Sequence, residues 1–331
     1  MSEPLALVLE DGFTLFGERG GDAAHANGEA VINTSMTGYQ EVLSDPSYAG
    51  QMVVMTYPLI GNYGVAPEFQ ESARPWARAL ITRQLSPFQQ HWRSRESLVD
   101  WLDRFGIPIL TGCDTRRLAR HLRTTGALRA IIGPRHELQT LRERVQQVIP
   151  LEEQDLVRQV SEGFIDVEEP LDGALQSPSN GVRQWPGLRI LVVDYGVKRN
   201  TLRSLRSRGV EIEVLPWDTE VDGVLSRHPH GVVLSNGPGD PAQLPGPVAM
   251  TRALVERVPV LGICLGHQLL GRAAGAETSR LRFGHHGGNH PVLDLRSGRV
   301  SMTSQNHEFQ VDAATLPAES GFRISHRNLH D

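Results

Sequence analysis

A cysteine flanked by two glycines stands between a predicted strand and a predicted helix in the second half of the chain. The apolar run 258–263 is typical of a buried strand, and the apolar periodicity that follows predicts a helix. Cys264 occupies the turn, with Gly262 and Gly266 two positions to either side. Such a turn holds its central residue strained and exposed, and directs a helix N-terminus at it, which stabilises a thiolate. The pattern favours a nucleophile; the alternative is a small buried hydrophobe, the commoner fate of a cysteine.

The segment around this turn, residues 188–331, alternates strands with helices. Strands are predicted at 188–196, 210–215 and 231–235, and helices at about 198–208 and 248–258. This alternation of apolar strands and helices predicts an α/β domain with a doubly wound, mostly parallel sheet covered on both faces. Ligands of such sheets bind at the carboxyl ends of the strands, where Cys264 is expected.

The loop Ser235–Pro241 follows a neighbouring strand and contains two glycines and two prolines. Its backbone N–H groups, together with that of Leu265 after the cysteine, would form an oxyanion hole. The alternative is a phosphate-binding loop. The loop has neither a G-x-x-x-x-G-K-[ST] pattern nor a G-x-G-x-x-G that opens a helix, which disfavours that alternative.

The first 150 residues are predicted to form a separate, mixed α+β domain rich in short strands. Residues 5–17 predict a hairpin with an Asp-Gly turn, and further strands are predicted at 29–34 and 51–57. Helices are predicted at 95–105 and 114–122; the arginines of the second are interpreted as a solvated face, the alternative being an anion site. Residues 151–187 contain Gly, Pro and Ser without periodicity, which predicts a linker.

Composition excludes several classes of protein. The 331 residues carry a formal net charge of −5 and no long basic run, which argues against nucleic acid or an anionic membrane as partner. No apolar run approaches the roughly 18 residues of a membrane span, and the N-terminus lacks an export signal. The only two cysteines, Cys113 and Cys264, are far apart, which predicts a reducing, cytoplasmic location.

Three histidines cluster at His285, His286 and His290 among glycines. We interpret them as a loop with structural hydrogen bonds; the alternative, a metal site, lacks acidic or Cys ligands nearby. Strands are also predicted at 300–303 and 321–325.

Several motifs carry a family resemblance over nearly the whole chain. Cys264, the loop 236–241 (NGPGDP) and residues 304–309 (SQNHEF) resemble class I glutamine amidotransferases. In the first half, the matching stretches are 33–41 (NTSMTGYQE), 45–51 (DPSYAGQ) and 57–64 (YPLIGNYG). These are similar to the small, glutaminase subunits of carbamoyl-phosphate synthetases.

The resemblance implies an enzyme that hydrolyses L-glutamine through a Cys264 thioester. Ammonia would pass through a tunnel to a large subunit, the expected partner, which would make carbamoyl phosphate for arginine and pyrimidine synthesis. ATP and Mg²⁺ would belong to that subunit, and no metal or organic cofactor is expected on this chain.

The resemblance also assigns site residues. Gly237 and Leu265 would supply the oxyanion hole, and glutamine would contact both of them and six further positions. Those six are Ser47, Gly239, Gln268, Asn306, Glu308 and Phe309. Ser47 would place the site at the domain interface. Position 308 is usually glycine in the family, so the glutamate here is expected to disturb glutamine affinity.

The family's base and its orienting carboxylate lie in a His-Pro-Glu motif, which is expected beyond residue 331. We interpret His267, His307 and His326 as structural, so the 331-residue chain alone is expected to turn over glutamine poorly. Two alternatives remain open: a non-catalytic partner subunit, and a stand-alone cysteine hydrolase of γ-glutamyl substrates.

Overall fold

The computed structural model describes residues 3–163 and 184–330, which form two compact units. The N-terminal unit takes residues up to Gln154 together with Leu281–Glu308 and Ile324–Asp331, and the C-terminal unit takes Asp155–Arg280 and Phe309–Arg323. The centre of the predicted linker lies outside the described residues, so the limits 151–187 stay a prediction. No helix in the described part of the chain is long and apolar enough to cross a membrane.

A closed barrel of seven strands forms the N-terminal unit. The strands are β1 (Pro4–Leu9), β2 (Thr14–Arg19), β3 (Ala26–Asn33), β4 (Gln51–Met55), β6 (Ala79–Ile81), β8 (Ile109–Thr111) and β9 (Leu128–Pro134), with β5 (Leu59–Ile60) and β7 (Gln84–Leu85) pairing separately. The order around the barrel is β1-β2-β8-β6-β4-β3-β9. β1 and β2 pair antiparallel, which confirms the predicted hairpin, whereas β3, β4, β6 and β8 run parallel.

Strand alternation divides the apolar residues of this unit between two sides. Leu5, Leu7 and Leu9 of β1 join one core cluster, whereas Ala6 and Val8 pack with Leu141 on the other side. The helices are α1 (Tyr39–Ser44), α2 (Leu98–Asp103), α3 (Thr115–Thr125) and α4 (Leu138–Arg144). α3 begins at the predicted cap, since Asp114 accepts a backbone N–H of its first turn. α2 begins at Leu98, three residues later than predicted, and Ser97 caps it in the same way.

The C-terminal unit contains the predicted parallel sheet. Its strands β10 (Arg189–Asp194), β11 (Glu211–Pro216), β12 (Gly231–Leu234) and β13 (Val260–Gly262) lie in the order β11-β10-β12-β13, and all their pairings are parallel. The helices are α5 (Leu156–Val160), α6 (Arg199–Arg206), α7 (Val221–Leu225), α8 (Pro245–Val255) and α9 (Leu265–Ala273). Alternate sheet residues pack with α7, α8 and α9 on one face and with α6 on the other. The doubly wound architecture is therefore confirmed.

Three further strands correct two local predictions. β14 (Thr278–Asp294), β15 (Val300–Val311) and β16 (His326–Asn328) form a sheet in the order β15-β14-β16. His285, His286 and His290 lie on β14, so the predicted loop is wrong: ladder bonds to neighbouring strands override the local turn signal of the glycines. The predicted strand at 321–325 is also wrong, since the strand begins at His326 and pairs with Asp294.

Candidate active site

The backbone at Cys264 is strained. Its φ and ψ are 52° and −109°, and only one other described non-glycine residue, His228, has a positive φ. L-residues rarely adopt this conformation, which costs on the order of 1–3 kcal/mol and persists only where the surroundings impose it. Cys264 thus has the geometry that the strand-turn-helix pattern predicts: it follows β13 and caps α9.

The two flanking glycines are required by close backbone approach. A Cβ on Gly262 would lie 2.6 Å from the amide nitrogen of His267, and one on Gly266 would lie 2.6 Å from the carbonyl carbon of Leu234. Both obstacles are main-chain atoms, which cannot rotate away as a side chain would. The Gly-x-Cys-x-Gly spacing is therefore a packing requirement of this turn.

The α9 N-terminus is directed at the cysteine. Leu265 opens the helix, so its N–H is one of the first-turn groups that have no partner within a helix. The positive end of the helix dipole at this position favours a negatively charged sulfur. Cys264 is partly exposed, whereas Cys113 is buried in the barrel and burial raises the pKa of its thiol to about 12. The two thiols therefore have different surroundings.

The loop after β12 is fixed beside this turn. The N–H of Gly266 donates to the carbonyl of Ser235 at 3.1 Å, which joins the loop to the turn directly. Asn236 donates to the carbonyl of Gly196 at 2.8 Å, which joins it to the loop after β10. Gly237 approaches so closely that a Cβ there would lie 2.9 Å from Cδ2 of Leu265. The structure thus brings Gly237 against Leu265, the two positions predicted for an oxyanion hole.

Two further predicted residues meet in the same unit. Gln268 lies one helical turn after Cys264, and its N–H donates to the Cys264 carbonyl at 3.0 Å. The Gln268 side chain donates to the carbonyl of Phe309 at 2.6 Å, and both residues are buried. Gly239, in the loop after β12, has a φ of 88°, which favours glycine there.

Ser47, Asn306 and Glu308 belong to the N-terminal unit, where the structure joins them through residues that sequence reasoning missed. Ser47 lies in a 3₁₀ turn, Pro46–Tyr48, that Asp45 caps by accepting the Ser47 N–H at 2.9 Å. The other carboxylate oxygen of Asp45 accepts from the Asn306 side chain at 3.1 Å. Asp45 therefore connects two of the predicted glutamine contacts.

Glu308 is buried and paired. Its Oε1 accepts from Nε2 of His286 at 2.7 Å and from the side chain of Gln51 at 3.1 Å. Burial lowers the pKa of His286, but the Glu308 carboxylate and the hydrogen bonds that the ring donates to Glu308 and Asn306 outweigh this, so that the pKa is raised above 6.5. The sequence does contain one signal for this arrangement. Side chains two residues apart lie on the same face of a strand, so the spacing of positions 306 and 308 indicates that they face the same neighbours.

The remaining histidines of β14 and β15 form hydrogen bonds, as predicted. His285 Nδ1 lies 3.1 Å from Oε1 of Gln305 and 3.2 Å from Nε2 of His307, and His290 contacts His330 at 3.2 Å. Burial, followed by neighbouring histidines, lowers the pKa of His290 to about 4. Within residues 3–163 and 184–330, no group of three or more His, Cys, Asp or Glu side chains is arranged to hold a metal ion.

Known proteins match both halves of the chain. Residues 7–132 match the family described as carbamoyl-phosphate synthase small chain, CPSase domain, and residues 191–331 match glutamine amidotransferase class-I. A carbamoyl phosphate synthase small chain from Xylella fastidiosa is 45% identical and aligns with 100% of this chain and 88% of its own length. One from Nitratidesulfovibrio vulgaris is also 45% identical, over 98% of this chain and 87% of its own length.

Among solved structures, a glutamine amido transferase from Methylobacillus flagellatus is 21% identical, with a TM-score of 0.32, over 44% of this chain and 63% of its own. The identity of 45% over essentially the entire chain decides the assignment, and it agrees with the strained cysteine turn and the barrel unit that precedes it. The chain therefore belongs to the family of carbamoyl-phosphate synthase small chains, and its second half is a class I glutamine amidotransferase domain.

Proposed function

We propose that this protein is the glutamine-hydrolysing subunit of a carbamoyl-phosphate synthetase. The observation that carries the proposal is the strained backbone of Cys264 at the N-terminus of α9, between two glycines that no larger residue can replace. Such a turn holds a thiolate where a substrate carbonyl carbon can reach it.

The proposed reaction has two steps. The Sγ of Cys264 attacks the side-chain amide carbon of glutamine, the C–N bond breaks, and the nitrogen leaves as ammonia after taking up a proton. Water then adds to the γ-glutamyl thioester, the C–S bond breaks, and glutamate leaves with the thiol restored. The N–H groups of Gly237 and Leu265 would stabilise the oxyanion formed in each step.

Glutamine would be held by the other predicted residues, namely Ser47, Gly239, Gln268, Asn306, Glu308 and Phe309. We propose that the ammonia passes to a large subunit that carries the ATP and Mg²⁺ chemistry and makes carbamoyl phosphate for arginine and pyrimidine synthesis. The similar chains from Xylella fastidiosa and Nitratidesulfovibrio vulgaris, named as carbamoyl phosphate synthase small chains, support this partnership. A cytoplasmic location is part of the proposal, supported by two cysteines that are not joined in a disulfide.

The test compares nitrogen donors in the synthetase assembled with a chain extended through the His-Pro-Glu motif that is expected beyond residue 331. Cys264→Ser is expected to abolish synthesis of carbamoyl phosphate from glutamine and to leave synthesis from free ammonia intact. Cys113→Ala, the matched control in the barrel, is expected to keep both activities. Glutamine-dependent synthesis that survives Cys264→Ser would refute the nucleophile. A wild-type assembly that uses ammonia but never glutamine would identify a non-catalytic partner subunit, and a chain that hydrolyses glutamine but binds no large subunit would identify a stand-alone hydrolase.

A further inference from the structure

Five residues of the N-terminal unit form one continuous chain of hydrogen bonds, which we call the Asn306 network: Glu308, His286, Asn306, Asp45 and Ser47. We propose that His286 and Asp45 are positioning residues that fix the side-chain amide of Asn306 in one orientation for recognition of glutamine. This inference rests on the proposed function, because it gives a role to the surroundings of two predicted glutamine contacts.

The chemistry of the partners determines which way the Asn306 amide points. The Asp45 carboxylate can only accept, so it selects the NH₂ group of Asn306, whose Nδ2 lies 3.1 Å from Asp45 Oδ2. The amide oxygen then faces His286, with Oδ1 2.9 Å from Nδ1 of the ring. A flipped amide would place its oxygen against a carboxylate and its NH₂ group against a ring N–H, so both bonds would be lost.

The same logic determines the state of His286. Its Nδ1 must carry a proton to donate to Asn306, and its Nε2 must carry one to donate to Glu308. His286 is therefore an imidazolium, and the negative charge of Glu308 balances it inside the unit. Without Glu308, one ring nitrogen would lose its proton and could present a lone pair to the amide.

The ring of His286 has little freedom to move. The backbone carbonyl of His286 accepts from both the N–H and the hydroxyl of Thr34 at 3.2 Å. A Cβ on Gly284 would lie 2.8 Å from Oε1 of Glu308, so that only glycine leaves room for the pair. The ring of Tyr48, in the turn that carries Ser47, lies with its centroid 5.7 Å from that of His286. Packing and hydrogen bonds therefore hold the ring from several sides.

Asp45 transmits this order to Ser47. One carboxylate oxygen accepts the Ser47 N–H and the other accepts from Asn306, so a single side chain fixes both the turn and the amide. The turn is held from its other end by Tyr48, whose hydroxyl accepts from Asn33 at 2.8 Å.

A fixed amide suits a binding site because Asn306 and Ser47 are both predicted glutamine contacts. Asp45 accepts from both residues, so the network holds the two contacts in one fixed relation. The network also answers the problem raised by Glu308, since a carboxylate balanced by His286 repels a substrate carboxylate far less than an unpaired one.

The test separates binding from chemistry in the protein assembled with its large subunit. Glu308→Gln and Asp45→Asn are each expected to raise KM for glutamine about tenfold, the loss of one hydrogen bond to a charged group, with little change in kcat. Asp45→Asn keeps an oxygen for the Ser47 N–H. The double variant is expected to be no worse than the worse single one, because both act on the same amide. Glu137→Gln, which removes an exposed pair with His25 in the same unit, is the matched control and should leave KM unchanged.

Two readouts keep this inference distinct from the proposed function. Nitrogen NMR of labelled histidine is expected to show His286 doubly protonated at neutral pH, and Glu308→Gln should abolish that signal. Calorimetry on Cys264→Ser measures glutamine binding without turnover. One outcome separates the two: the wild type fails to hydrolyse glutamine, while the double variant Cys264→Ser/Glu308→Gln binds glutamine more weakly than Cys264→Ser does. In that case the proposed function is wrong and the network is supported.

Three results would overturn the network. They are a neutral His286 in the NMR spectrum, additive KM effects in the double variant, and loss of kcat alone in active enzyme. Absence of glutamine binding by both the wild type and Cys264→Ser would overturn the function and the inference together.

Discussion

The Nε2 atom of His286 lies 2.7 Å from Oε1 of Glu308, and the two side chains are only 1% and 5% exposed. Because the pKa of His286 is raised in the folded chain, the charged pair stabilises the fold fully below the ordinary value of 6.5. Its contribution is lost as the pH rises through the folded pKa. Glu308 and Glu29 are the charged groups that raise this pKa.

Wild type is therefore expected to lose more unfolding free energy than His286→Gln as the pH rises above the ordinary histidine pKa of about 6.5. Urea unfolding at a series of pH values measures the difference. Parallel pH profiles for the two proteins would contradict the pairing.

The glycines of the cysteine turn are expected to be irreplaceable. Gly262→Ala and Gly266→Ala each place a Cβ against main-chain atoms, and overpacking of this kind costs about 3 kcal/mol. Gly246, near the start of α8, has open space around its Cβ position, so Gly246→Ala should stabilise the chain by about 0.5 kcal/mol. Denaturant unfolding of the three variants tests this, and equal stabilities would show that the turn relaxes.

The two cysteines are expected to differ in reactivity. Cys113 is buried, and its thiol pKa of about 12 leaves almost no thiolate at neutral pH, whereas Cys264 is partly exposed at a helix N-terminus. Iodoacetamide should therefore modify one site in the native protein and two after denaturation. Peptide mass spectrometry identifies the residue, and native modification at Cys113 would disprove the difference.

Asp194 is expected to be the main support of the loop after β10. It is buried, and its carboxylate accepts the backbone N–H groups of Gly196, Val197 and Glu162 at 2.8–2.9 Å. Asp194→Ala leaves these donors without an acceptor and should cost about 3 kcal/mol. Asp194→Asn keeps one oxygen and should cost less.

Urea unfolding compares these two variants, because only Asp194→Asn keeps an acceptor oxygen at this position. Asp194→Ala should also lower glutaminase activity, since Gly196 holds Asn236 and hence the loop that carries Gly237. Full activity in a destabilised Asp194→Ala protein would separate this loop from catalysis.

Local sequence signals were sufficient for the cysteine turn and the parallel sheet. The cysteine turn is encoded within five residues, because Gly262, Cys264 and Gly266 all belong to it. The strands of the C-terminal unit are apolar runs separated by helical periodicity, and chirality and burial leave few ways to arrange them. Predicted and observed strands there agree to within about two residues, the ordinary uncertainty of element ends.

Contacts between distant residues could not be predicted in this way. His286 and Glu308 are 22 residues apart, and Glu308 and Gln51 are 257 apart, so no window of sequence contains either pair. Local sequence therefore does not reveal the partners of Glu308, and its expected effect on glutamine affinity stays a prediction. The barrel strands β6 and β8 have three residues each, which is too few to show the period of two that identifies a strand. The strand pairs that close the barrel join segments far apart in sequence, so they depend on the whole unit.

Closure of the barrel also sets an order of events during synthesis. β1 pairs on one side with β2, which follows it directly, and on the other with β9, which begins only at Leu128. At translation rates of about 5–20 residues per second, the first strand waits on the order of ten seconds for its second neighbour. Throughout that interval one backbone edge of the nascent hairpin has no partner strand, and Leu5, Leu7 and Leu9 lack the core that buries them in the folded chain. The emerging chain is therefore most in need of a chaperone before any of the amidotransferase domain has been made.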